Sequence, residues 1–314
     1  MASRSIVGLL ICVFFGTQLQ HVEMAYLDIP QFFNLSNGNL SSVTWAHAVN
    51  SKDLLTTSLN SNIMMLEADV LIGKINNTGN DIPIMAHPPA NSSDLSLNEF
   101  LNTVFDYNSK VNSSQVRKGV KLDFKSIEAL ETSVAIIEPL YNNMTYPVWI
   151  NSDILVGPVN ATATPVNAQR FFTAARNFTN STLSIGWTTN YSGNATTNYT
   201  NSHIDNMLTT IRNNNVNQSI TFPVRASIAA HSLAQMQTLL SNVTDSTLTI
   251  WSNDDIIDVA KLNELILTVG VNKTYLDIPD DIMKQLDLRG DGSTLKPTLQ
   301  MMCAVLIATL ILQW

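Results

Sequence analysis

"MMLEADVLI", residues 64–72, is apolar except for two acids at its centre. It reads as one buried strand of a sheet, and strand side chains alternate between faces, so Glu67 and Asp69 point the same way. Two like charges buried side by side are costly without a counter-charge. The sheet around this strand decides what stands opposite them.

Working outward, short β-branched and aromatic runs alternate with helical patterns. The strand candidates are "VTWAH" (43–47), "MMLEADV" (64–70), "VKLDF" (120–124), "PVWIN" (147–151), "LSIGW" (183–187), "TFPVRA" (221–226), "LTIWS" (248–252) and "TYLDI" (274–278). The segments between them carry apolar residues at i, i+3 and i+4, as in "SLNEFLNTVFDY" and "SIEALETSVAIIEPLY". A strand-like "IPIMAH" (82–87) follows the second strand as a hairpin extension. Eight strands alternating with helices predict an α/β fold, a (β/α)8 TIM-type barrel. A doubly wound open sheet is the alternative, but no GxGxxG follows the first strand. No linker, repeat or second domain interrupts 26–290.

The two ends read as processing signals. "SIVGLLICVFFG", 5–16, is a short apolar run behind Arg4, the layout of a secretory signal, expected to be removed as residues 1–25. "MMCAVLIATLILQW", 301–314, ends the chain without a following Lys or Arg. Small residues Gly290, Gly292 and Ser293 and a polar spacer precede it, which is the layout of a GPI-attachment signal over 291–314. A single-pass tail anchor is the alternative; the short segment and missing flanking charge speak against it.

Sequons occur at Asn34, Asn39, Asn76, Asn91, Asn112, Asn143, Asn160, Asn177, Asn180, Asn190, Asn194, Asn198, Asn217, Asn242 and Asn272, a density that suits N-glycans on an ectodomain. Both cysteines, Cys12 and Cys303, fall in the segments expected to be removed, so no disulfide is expected. The formal charge of −8 and the absence of a Lys/Arg run argue against nucleic-acid binding.

In such a barrel, function sits at the C-terminal ends of the strands. His47 closes the first strand, and His87 closes the inserted segment before Pro88 and Pro89. Lys121, Asp123 and Lys125 share one face of the third strand, Asn151 and Asp153 lie on the fourth, Arg225 ends the sixth and Trp251 lies near the end of the seventh. Glu67, Asp69 and Asp123 form a hard-oxygen set that suits Mg2+ or Ca2+ better than zinc. A buried ion-pair network with Lys121, Lys125 and Arg225 explains the same residues, and spacing alone leaves both readings open. His47 and His87 suit proton transfer near neutral pH, although either one alone is more readily a hydrogen-bonded rim residue. Lys125 and Arg225 could hold an anion, and tryptophans at strand ends could wall a pocket or pack the core. "DIPDD", 277–281, reads as an ordinary strand exit and helix cap.

"TWAHAVNS", "LEADV", "PIMAHPP", "KLDFKS", "WINSDILVGP", "LSIGWTT" and "FPVRA" follow in order across about residues 43–278 and resemble the blocks of the menorin family of secreted and membrane-tethered animal proteins. The menorin resemblance implies an extracellular cue that binds partner ectodomains. A more distant resemblance is to phospholipase-C-like phosphodiesterase barrels, the glycerophosphodiesterases and sphingomyelinase-D-type phospholipases. It implies His47 and His87 as an acid/base pair, Glu67, Asp69 and Asp123 as metal ligands, Lys125 as a phosphate contact and Trp251 as a pocket wall. The implied substrate is a phosphodiester, lipid or glycerol in type. Two departures leave that substrate open: Ala48-Val49 follows the first His where Arg-Gly is usual in glycerophosphodiesterases, and Pro88 follows the second where Asp is frequent.

Overall fold

The structure is a computed structural model and describes residues 28–159, 161–190, 197–253 and 255–289. The end segments expected to be signals, with Cys12 and Cys303, lie outside the described residues. In chain order the elements are α1 (Ile29–Phe32), β1 (Trp45–Ala46), α2 (Lys52–Leu59), β2 (Met65–Ile75), β3 (Thr78–Met85), β4 (Ser92–Ser93), α3 (Leu97–Lys110), β5 (Gly119–Phe124), α4 (Ile127–Tyr141) and β6 (Val148–Val156). They continue with α5 (Ala168–Ala175), β7 (Thr182–Thr188), α6 (Asn201–Asn213), β8 (Ile220–Arg225), α7 (Ala226–Ala229), α8 (Leu233–Asn242), β9 (Thr247–Trp251), α9 (Val259–Val269), β10 (Thr274–Asp277) and α10 (Asp280–Met283). No described helix is long and apolar enough to cross a membrane.

Several helices start where the sequence supplies a cap. The side chains of Ser51, Ser96, Ser126, Asn167, Thr200 and Asp258 each accept from the backbone N–H three residues on. Each satisfies one of the donors that a helix start leaves unpaired.

Strands run β1-β2-β5-β6-β7-β8-β9-β10, every neighbouring pair parallel. This is the expected eightfold alternation in a nearly closed barrel. The inserted β3 pairs antiparallel with β2, so the hairpin extension is present, and the short β4 adds to the same strand. Outward side chains such as Leu66, Ala68, Val70, Leu122 and Phe124 join the helices in the main core. Inward side chains form a different layer at the barrel's N-terminal end. There Trp45, Trp149 and Tyr275 meet edge to face, with centroids 4.9–6.2 Å apart, beside Met65. Ile29, Leu40 and Val43 cover this floor from below.

No ladder joins β10 to β1 among the described residues. Side chains close the seam instead. Ser41 Oγ donates to the Thr274 carbonyl at 2.8 Å, the Trp45 ring meets Tyr275, and His47 Nδ1 lies 2.9 Å from Asp277 Oδ2. The floor is therefore apolar and sealed, and the polar inward residues stand above it, toward the strand C-termini.

Candidate metal and acid-base site

Strand register brings the acids together. Asp69 pairs with Asp123, Asp123 with Asn151, and Glu67 with Lys121. One ligand-capable oxygen from each of Glu67, Asp69 and Asp123 lies within 4.8 Å of the others.

Each carboxylate is fixed by one oxygen. The Ala48 N–H donates to Glu67 Oε2 at 2.8 Å, from a left-handed residue (φ 56°) just after His47. Asn50 Nδ2 donates to Asp69 Oδ2 at 2.7 Å while Asn50 Oδ1 accepts from the Asp69 N–H at 2.9 Å. Asn151 Nδ2 donates to Asp123 Oδ1 at 2.5 Å. One oxygen of each acid remains: Glu67 Oε1, Asp69 Oδ1 and Asp123 Oδ2. Lys125 Nζ bridges the latter two at 2.6 and 2.5 Å. The counter-charge for the acids of β2 is thus Lys125, with buried Lys121 beside Glu67 as a second cation. Three hard oxygens on separately fixed carboxylates also fit the donor chemistry of Mg2+ or Ca2+.

The local field is steep. Burial lifts the Glu67 carboxyl to about 7, with His47 and Lys121 opposing the lift and the charges on Asp69 and Asp123 adding to it. Burial also acts to raise Asp123, but Lys125 and Lys121 outweigh it and hold the group at about 2. For Lys125, burial disfavours the cation; Asp123, Asp69 and Glu67 overcome it and set its pKa well above the ordinary lysine value. Asp153 reaches solvent at the mouth, yet enclosure by the barrel, together with the Asp123 charge, raises it to about 7.

His47 keeps 44% of its side chain open to solvent. Partial burial opposes its cation, but the Asp277 hydrogen bond and the Glu67 carboxylate, 3.8 Å away, raise its pKa to about 9. His47 is therefore protonated at neutral pH, with Asp277 fixing its ring. His87 is exposed at the end of β3, and its Nδ1 lies 2.6 Å from the Pro88 carbonyl. No hydrogen bond or ion pair ties His87 to the acids among the described residues.

Arg225 and Trp251 belong to a separate cluster on the rim. Arg225 clasps Asp255 bidentately at 2.6 and 2.5 Å, and Ser227 Oγ donates to the same carboxylate at 2.7 Å. The guanidinium lies 5.2 Å from the Trp251 ring centroid. Of the residues the sequence singles out, Glu67, Asp69, Asp123, Lys125, Asn151 and His47 converge, whereas His87 lies at the end of β3 without a hydrogen bond to the acids among the described residues, and Arg225 and Trp251 cluster with Asp255 on the rim. Asn50, Asp255 and Asp277 went unrecognised. Asp277 sits where the sequence suggests an ordinary strand exit, yet it shares its face with Tyr275 and so points into the barrel; Asn50 and Asp255 carry no comparable signal.

Three comparisons with known proteins found similarity to this chain. The family model described as the Menorin N-terminal domain matches residues 39–283. The human protein FAM151B (Homo sapiens) is 36% identical over 214 residues, covering 68% of this chain and 73% of that protein. Among solved structures, an L-ribulose 3-epimerase aligns over 85% of this chain and 93% of its own, at 11% identity and a TM-score of 0.40.

Proposed function

The chain belongs to the menorin family, and from that premise we propose that its barrel is a divalent-metal-dependent phosphodiesterase-like site carried on the extracellular face of the membrane by a GPI anchor. The observation that carries this reading is the set of three inward oxygens, one each on Glu67, Asp69 and Asp123, with protonated His47 beside them. Those residues would hold Mg2+ or Ca2+. When bound, the cation supplies charge that neutralises a phosphodiester and the charge developing on it.

The chain's own groups do the rest. Asp277 holds the His47 ring, and His47 and His87 share the two proton transfers, one from the attacking hydroxyl and one to the leaving oxygen. Lys125, once released from Asp69 and Asp123, binds a non-bridging oxygen as a point charge. Asn151 fixes Asp123 and borders the same space. Arg225, neutralised by Asp255, bounds the mouth with Trp251. Attack by water and attack by a neighbouring hydroxyl of the substrate both fit this arrangement. A 31P NMR screen of glycerophosphodiesters and lysophospholipids with the purified protein, with added Mg2+ or Ca2+, tests the reading and separates an open product from a cyclic phosphate. Turnover that disappears in folded His47→Asn and Glu67→Gln variants supports it; no turnover of any diester counts against it.

A second reading has an observation of its own. Lys125 satisfies Asp69 and Asp123 without any ligand, which suits a non-catalytic cell-surface cue that binds partner ectodomains. Under that reading Glu67→Gln leaves the biological effect of the protein intact.

A further inference from the structure

The structure sorts the sequons by their place in the barrel. Every helix-to-strand connection from α3 onward carries at least one in the turn or at the helix's last residue: Asn112 before β5, Asn143 before β6, Asn177 and Asn180 before β7, Asn217 before β8, Asn242 ending α8 before β9, and Asn272 before β10. In a parallel barrel these turns all lie at the N-terminal end, away from the strand ends that carry the acids. All seven asparagines are exposed. The amides of Asn143, Asn217 and Asn272 make no hydrogen bond to protein among the described residues. Asn177 and Asn242 donate only within their own helices, to the Ala174 carbonyl at 3.0 Å and to the Thr238 carbonyl at 2.8 Å and Ser241 Oγ at 3.4 Å. A cavity of about 240 Å3, lined in part by Arg176, Val216 and Gln218, opens beside Asn217 and leaves room around that acceptor.

Turn chemistry explains why asparagine, serine and threonine gather in these segments. It does not require a hydroxyl residue two positions after an exposed asparagine in six turns out of six. Among the described helices the only sequon asparagine is Asn242, the last residue of α8, at the helix end that faces the turns, so the rest of the helical wall carries no acceptor. We propose that N-glycans form a collar over the N-terminal end of the barrel, attached through these turns, and that the helical wall is the face left for other molecules. The proposal needs passage through the secretory pathway and is independent of any phosphodiesterase activity.

The test uses the full chain expressed in animal cells. N-glycans are released with an amidase in H218O, which converts each glycosylated asparagine to 18O-labelled aspartate, and peptides are read by mass spectrometry. The expected result is label at one or more acceptors in each of the six turns. Label confined to mouth-side Asn91, Asn190 or Asn198 overturns the placement while leaving secretion standing. Label nowhere overturns both the collar and its secretory premise. Because the wild-type chain is measured, no outcome depends on a variant that fails to fold.

Discussion

Glu67, Asp69 and Asp123 each commit one oxygen to an amide of the scaffold, and that division of labour sets what substitutions should do. In Glu67→Gln the amide oxygen can still accept from Ala48, and a buried carboxyl already lifted to about 7 is replaced by a neutral isostere. The metal-free variant should therefore fold with stability within about 1–2 kcal/mol of wild type, as a chemical denaturation curve would show. Linkage gives a pH profile. Glu67 and His47 both have folded values above their ordinary ones, about 7 against 4.5 and about 9 against 6.5. Each stabilises fully below its ordinary pKa and loses that contribution as pH rises through the folded value. Asp123, held down at about 2, acts oppositely and loses its contribution as pH falls from 3.8 toward 2. In EDTA the unfolding midpoint should be highest near pH 4–5 and decline in two stages toward pH 9. Each kcal/mol lost corresponds to about 2–4 °C. Asp277→Asn should flatten the upper stage; a decline that persists unchanged in it would remove His47 from the explanation. Lys125 can be followed separately. If it leaves Asp69 and Asp123 when the site fills, its acylation by an amine-reactive reagent should rise several-fold in saturating Mg2+, whereas an unchanged rate would refute that release.

At the scale of elements, the seam between β1 and β10 and the packing under Asp153 are the places where single atoms matter. Ser41→Ala removes the hydroxyl that donates to Thr274 across the seam. It should cost about 1 kcal/mol, visible as a shifted denaturation midpoint at constant slope. Gly186 sits where an added Cβ would come 2.8 Å from Pro223 Cγ and 2.9 Å from Asp153 Oδ1. Gly186→Ala should cost about 1–3 kcal/mol through overpacking, and Asp153 must move to admit it. The same elements show what was legible beforehand. The period-2 alternation of parallel strands is local, so the eightfold pattern, the inserted hairpin and the shared inward face of Glu67, Asp69, Asp123 and Lys125 could be read from neighbouring residues. The partners of those groups could not. Asn50 reaches a residue 19 positions away, Asp255 reaches Arg225 across 30, and Asp277 reaches His47 across 230. A lone Asn or Asp beside a turn looks like a cap until the barrel closes. The two-residue β4, Ser-Ser, has no strand propensity and exists only because β2 offers it an edge.

For the whole molecule, an apolar floor at one end of the barrel and a ring of charge toward the other make a one-ended container. Its contents decide between enzyme and cue. The sealed aromatic floor keeps water from below, so any ligand of the acids must enter by the strand-end mouth, past Asp153, His47 and the Arg225–Asp255 clasp. What separates enzyme from cue is whether Glu67, Asp69 and Asp123 hold a cation rather than merely balance Lys125. The direct measurement is thermal unfolding of the purified protein during titration with Mg2+ and Ca2+, beside Glu67→Gln. A ligand that binds only the folded form raises the midpoint, by about 2.7 kcal/mol of stability at a hundredfold excess over Kd. The midpoint should rise at sub-millimolar metal in wild type and not in the variant. No rise in either protein, or an equal rise in both, would contradict cation binding by these acids and leave them as partners of Lys125 and Lys121.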